Sequence, residues 1–220
     1  MHRKFSMNFL SGILHIILTN WTGALATDYF VPKLIGALAL FCVALFIEAI
    51  GGAYTKKLTP PSLPDVILDR IPVLNLNFLY VETMGTLMVI FALYQFAHAR
   101  SVPFVLATLA LFSLIRRIFL MLTPLGAPKQ MPAVFGFKSH NTIAHKLFQG
   151  HGDFFFSGHT GLPFLFFLLT PWPPLALVFL AASIIMGFAV LFMHVHYSID
   201  VLAAPFIVYS IYALAHAVFT

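Results

Sequence analysis

Charge is what this sequence has least of. Lysine, arginine, aspartate and glutamate make up 9% of the 220 residues, against 60% hydrophobic residues and a mean hydropathy of +0.95. A soluble domain keeps roughly a quarter of its residues charged, so the composition reads as an all-α, polytopic membrane protein. Cysteine is nearly missing. Cys42 alone cannot close an internal disulfide, which excludes a disulfide scaffold and leaves the redox compartment unreadable. Acidic residues are scarcer than basic ones, 7 against 12, for a formal charge of +5. The basic residues are scattered among loops and form no tail. That argues against nucleic acid and suits loops resting on anionic headgroups. No repeat, low-complexity tract or heptad pattern is present.

Long apolar segments are what the chain does have. Six approach membrane length, at residues 34–54, 77–97, 103–124, 159–171, 174–193 and 201–219. The pattern predicts a six-helix membrane bundle over residues 34–220. The fourth segment is short and needs Phe154 to Phe156, or Pro171 and Trp172, at the interfaces to span. Residues 1–33 form an N-terminal segment read as an interfacial helix. A signal peptide ending near Ala24-Leu25-Ala26 and a seventh span are the alternatives.

With six spans, three polar stretches share one membrane side. These are residues 55–76, residues 125–158 and the HVHYSID corner. Each holds ionisable residues that are costly near hydrocarbon and usually serve chemistry or a substrate path. His196 and Asp200 are four residues apart, a spacing that puts both on one helical face. There the carboxylate would fix the imidazole tautomer and stabilise its cation. His159 follows Ser157-Gly158 and precedes an apolar run, where a helix N-terminus offers free N–H groups to phosphate. A nucleophilic histidine, a second histidine as general acid and base, and an anion cradle point to phosphoryl transfer.

Further residues join this set. Asp153 precedes His159 in the turn, and Glu82 lies within the second apolar segment. Arg116 and Arg117 interrupt the third. Adjacent arginines cannot both face one partner on a helix, so one is expected to bind phosphate while the other snorkels or pairs with a carboxylate. Glu48 has the same buried-or-wet ambiguity as Glu82 and no supporting motif. His194, His196, Asp200, His159 and Asp153 could instead make a zinc or iron site, but HxxxD with SGH explains the pattern without one. No metal or other cofactor is expected. His194 is read as an interfacial residue. The Phe154 to Phe156 run is read as a loop anchor or the lining of a lipid entry path.

In order along the chain, PSLPD (from Pro61), RRIFLMLTPL (from Arg116), HGDFFFSGHT (from His151) and HYSIDV (from His196) resemble the four motifs of the sphingomyelin synthase family. That family lies within the wider lipid phosphatase and phosphotransferase superfamily. The resemblance runs from about residue 34 to the end and is most specific in the last two blocks. It implies six transmembrane helices, an active site on the outer or luminal face, and a triad of His159, His196 and Asp200. It adds Glu82 and Asp153 to the catalytic set. Arg116, Arg117, Ser157, Gly158, Asp65 and Tyr197 are the expected substrate-binding residues. The implied partners are a phospholipid donor of choline or ethanolamine type and a lipid hydroxyl acceptor such as ceramide or diacylglycerol. A homo-oligomer is compatible with this. Alternatives are a phospholipase C-like or lipid phosphate phosphatase hydrolase, and a non-enzymatic lipid-binding or transport protein.

The departures are informative. His151-Gly152 stands where animal members have Cys-Gly, which suggests a compact microbial-type member. The SRxxxxxH and KxxxxxxRP blocks of plain lipid phosphatases are missing, with Ala189-Val190 at the arginine's place and Phe156 before SGH. Fewer cations favour a phosphodiester donor over a phosphomonoester.

Overall fold

The structure is a computed structural model that describes residues 2–76, 78–129, 131 and 154–220, with side chains from residue 11 onward. Among these residues it is all helical. Helix α1 spans His2–Leu25 and α2 Phe30–Thr55. A π-helical turn, Leu79–Thr83, runs into α3, Met84–Ala97. A 3-10 turn, Ala99–Ser101, leads into α4, Val102–Leu122. Then come α5, Gly158–Leu169, α6, Pro173–Phe192, and α7, Ser198–Phe219.

Five helical stretches are long and apolar enough to cross a membrane: Phe30–Thr55, Leu79–Ala97, Ala99–Leu122, Pro173–Phe192 and Ser198–Phe219. They carry large apolar side chains outward, such as Phe46, Phe188 and Phe206, as lipid-facing helices do. The six-span expectation is therefore met in five segments. The other, α5, has 12 residues, or about 18 Å of helix against a hydrocarbon core of about 30 Å. Its ends have local causes. Ser157 caps it at the start, and Thr170 precedes Pro171, which disfavours helical geometry there.

Apolar burial drives little association inside a bilayer, so close packing must hold the bundle together. Phe91 stacks on Phe166 at 4.0 Å, and both meet the edge of Phe179. Small residues let α5 sink between its neighbours. A Cβ on Gly161 would come within 3.0 Å of Val208 of α7, and one on Gly187 of α6 within 3.6 Å of Thr160. Ser183 on α6 donates to the Thr160 carbonyl at 2.8 Å. At one end of the bundle, Trp21 and Asn20 of α1 donate to the carbonyls of Phe96 and Ala97. Gln95 there donates to Leu169. The loop after α2, the ends of α4 and α6, and the starts of α5 and α7 meet at the other end, as the sequence predicts.

Candidate active site

The corner between α6 and α7 begins with a Schellman-type stop. The His194 N–H donates to Leu191 at 2.9 Å and the Val195 N–H to Val190 at 3.1 Å. This closure needs a left-handed residue, usually glycine. Here it is His194, at φ 52°. The sequence places His194 at the interface; the structure buries it completely, and neither ring nitrogen has a partner among the described residues.

Two residues on, His196 is buried with Nδ1 3.4 Å from Asp200 Oδ2. The pair forms, but not on one face of a helix. His196 precedes α7, and Asp200, in the helix's first turn, reaches back. The same Oδ2 accepts the Tyr197 N–H at 3.0 Å, so one carboxylate oxygen caps the helix and orients the imidazole. Asp200 Oδ1 is buried without a partner among the described residues. With Nδ1 turned to Asp200, the Nε2 lone pair is the one left for chemistry.

The start of α5 is tied to this corner, because the Ser157 N–H donates to the Asp200 carbonyl at 3.0 Å. The Ser157 hydroxyl accepts the Thr160 N–H at 3.3 Å. The Gly158 and His159 N–H groups have no helical acceptor, as at any helix start. Pro163 lacks an N–H, so the His159 carbonyl also loses its usual helical donor. Arg116, from the last turns of α4, lies over this start. Its Nε donates to the Phe156 carbonyl at 3.4 Å, and a Cβ on Gly158 would sit 3.4 Å from that Nε. Glycine thus leaves the guanidinium room to approach the helix start. His159 has the imidazole of His196 and the guanidinium of Arg116 nearby. Its ring stacks on Tyr80 with centroids 3.8 Å apart and planes 22° apart.

The proline-rich loop holds the corner from outside. Asp65 Oδ2 accepts the Ser198 N–H at 2.6 Å. Its Oδ1 accepts the Ser198 hydroxyl and the N–H groups of Ile67 and Leu68. Burial alone would push the Asp65 carboxyl upward, but these hydrogen bonds together hold it below the usual 3.8. The Tyr197 hydroxyl accepts the Leu63 N–H at 3.0 Å and donates to the Gly126 carbonyl at 2.8 Å. Burial raises its pKa, with the charges of Asp200 and Asp65 adding to the shift. Both residues were expected to bind substrate; their polar atoms are engaged in clasping two loops to α7.

The two arginines divide as adjacency requires. Arg116 turns to the start of α5. Arg117 is buried and pairs with Glu48 of α2, whose other oxygen accepts from Ser113 at 3.5 Å. The Arg117 stem lies where a Cβ on Gly51 would clash. Pairing with a carboxylate is the role the sequence leaves for one of the two arginines, and here it falls to Arg117. Glu82 is exposed on the π turn, and its carboxylate makes no ion pair or hydrogen bond among the described residues. Asp153 lies outside the described residues, as do His140, His145 and His151. The three phenylalanines part ways. Phe156 enters the core, Phe155 stacks on Phe119 at 4.8 Å, and Phe154 meets His196 in a T-shaped contact. Among the described residues no three His, Cys, Asp or Glu side chains group as a metal site. Sequence reasoning missed Tyr80, whose position depends on a π turn that no spacing in NFLYVET signals.

Comparison of the sequence with protein-family models and with curated proteins finds no match. The geometry of the site and the motif resemblance therefore carry the functional reading.

Proposed function

We propose that the chain is a membrane phosphotransferase that moves a phospholipid's headgroup phosphate to a lipid hydroxyl. The observation that carries this reading is the His196–Asp200 pair, which leaves Nε2 for chemistry and is tied to the start of α5 by the Ser157–Asp200 bond. In the first step His196 Nε2 attacks phosphorus. An N–P bond forms, the P–O bond to diacylglycerol breaks, and His159 gives its proton to the departing oxygen. In the second, His159 takes the proton of the acceptor hydroxyl. The new O–P bond forms as the N–P bond breaks, and its electron pair returns to His196. Asp200 stabilises the imidazolium between the steps. In this reading Arg116 and the N–H groups of Gly158 and His159 supply donors to the phosphate oxygens. Both steps balance without a metal or cofactor.

The same reading includes a sixth crossing, made by α5 with residues 154–157 and 170–172 at its ends, and a site on the outer membrane face. It makes the donor a phosphodiester. A phosphomonoester carries close to two charges near neutral pH and calls for several fixed cations. Among the described residues, the guanidinium of Arg116 reaches the start of α5.

The test is incubation of purified protein with labelled phosphatidylcholine, phosphatidylethanolamine and phosphatidic acid, with and without ceramide or diacylglycerol. Expected is a headgroup-bearing lipid product with release of diacylglycerol. His196→Asn should abolish it, and Asp200→Asn should slow it roughly 10³- to 10⁴-fold. Faster release of inorganic phosphate from phosphatidic acid would move the chain to the phosphatases. Loss of activity on chelation, restored by zinc, would replace the histidine nucleophile.

A further inference from the structure

The second step needs a hydroxyl to reach His159, and water carries hydroxyls in vast excess over any lipid acceptor. We infer that Tyr80 is the residue that keeps water from His159 and so makes a lipid hydroxyl the acceptor. This rests on the phosphotransferase reading.

Tyr80 lies on the π turn Leu79–Thr83, where each turn holds one residue more than in an α-helix. Such turns are frequent at functional sites. Here the turn delivers the phenol ring flat against the imidazole, at 3.8 Å and 22°. The ring also packs on the buried cluster of Val190, Met193, Val195 and Val201. Tyr80 therefore extends the apolar packing of the α6–α7 corner over one face of the half-buried His159. Closing an active site in this way excludes water and side reactions such as hydrolysis of an intermediate.

The chemistry is a choice between two acceptors for one N–P bond. With a lipid alcohol, His159 takes the alcohol's proton, the alkoxide oxygen bonds to phosphorus, and His196 is released. With water the same bonds change, and the product is free phosphocholine or phosphoethanolamine. Tyr80 covers the His159 ring and exchanges no proton in either step. It is a positioning residue, and its effect is on the ratio of the two products.

The experiment measures that ratio in phosphatidylcholine micelles containing ceramide, for the parent protein, Tyr80→Phe, Tyr80→Leu and Tyr80→Ala. Phenylalanine keeps the ring and should keep the ratio. Leucine and alanine should raise the water product relative to the lipid product by roughly tenfold, the top of the range for an aromatic stacking contact. Both products falling in parallel, or an unchanged ratio in Tyr80→Ala and Tyr80→Leu, would overturn the inference. If alanine unfolds the protein, seen as a lost thermal transition in detergent, the leucine variant decides. His196→Asn separates the two levels of the argument: turnover that survives it defeats the histidine mechanism itself, whatever Tyr80 does.

Discussion

Arg116 and Arg117 show how much one residue's step around a helix decides. The sequence gives two adjacent guanidiniums in an apolar segment, and adjacency alone sends them to different partners. It does not say which goes where. That follows from Glu48, which α2 brings beside Arg117, and from Gly158, which leaves Arg116 room at the start of α5. The two should fail differently when changed. Arg116→Ala should lower kcat by roughly 10²- to 10³-fold, as loss of a transition-state donor does, with little change in melting temperature. Arg117→Ala strands Glu48 and should cost about 3 kcal/mol, the low end for a broken buried pair, because Glu48 is 28% exposed. The double change Arg117→Met with Glu48→Leu should recover most of that. Thermal unfolding in detergent, read beside turnover, checks all three variants. An Arg117→Ala protein that is stable but inactive would return Arg117 to the phosphate. His194 carries the opposite lesson. Its strain and burial could not be read from HVH, because they come from the stop at the end of α6.

At the scale of elements, what joins the site is the capping of α7. Asp200 holds its first turn from inside and Asp65 from outside, while Tyr197 ties in two loops. The HxxxD spacing pointed to the right pair for the wrong reason. Helical spacing and a first-turn residue reaching back both place residues i and i+4 together, and sequence alone does not distinguish them. The proline-rich loop could be seen as polar and constrained, but not as a clasp, since its partners lie 133 residues away. Asp65 gives this clasp a pH signature. Its carboxyl titrates below 3.8 in the folded protein. The stability it contributes is therefore complete above the ordinary aspartate value and lost as pH falls through the lower folded value. Asp65→Asn should be less stable than the parent protein at neutral pH. The difference should shrink as acid protonates Asp65 in the parent. Melting temperatures of both proteins between pH 7 and pH 3 test this. A gap that widens toward acid would have the sign wrong.

Among the described residues of the whole molecule, Asp65, Arg116, His159, His196 and Asp200 gather at one end of an apolar bundle, while Arg100 lies at the other, and this gathering was legible in the order of the segments. Alternating long apolar segments force alternate loops to opposite faces, whatever the packing between them. What the sequence left open was α5, because hydropathy counts apolar residues and not the caps that stop a helix. Its 12 residues decide whether the turn at residues 170–172 lies with the 98–101 turn across the membrane from the histidines. Gln95 donates to Leu169, which places the end of α5 level with the end of α3. This predicts that Trp172 and Arg100 are reached from the same side. The chain makes the test simple, since Cys42 is its single cysteine. In a Cys42→Ser background, one cysteine at a time is placed at Ser62, Arg100 or Trp172 and exposed to an impermeant thiol reagent in sealed, oriented vesicles. Ser62 should react from one side, and Arg100 and Trp172 from the other. If Trp172 reacted with Ser62, the placement of the end of α5 level with the end of α3 would be overturned.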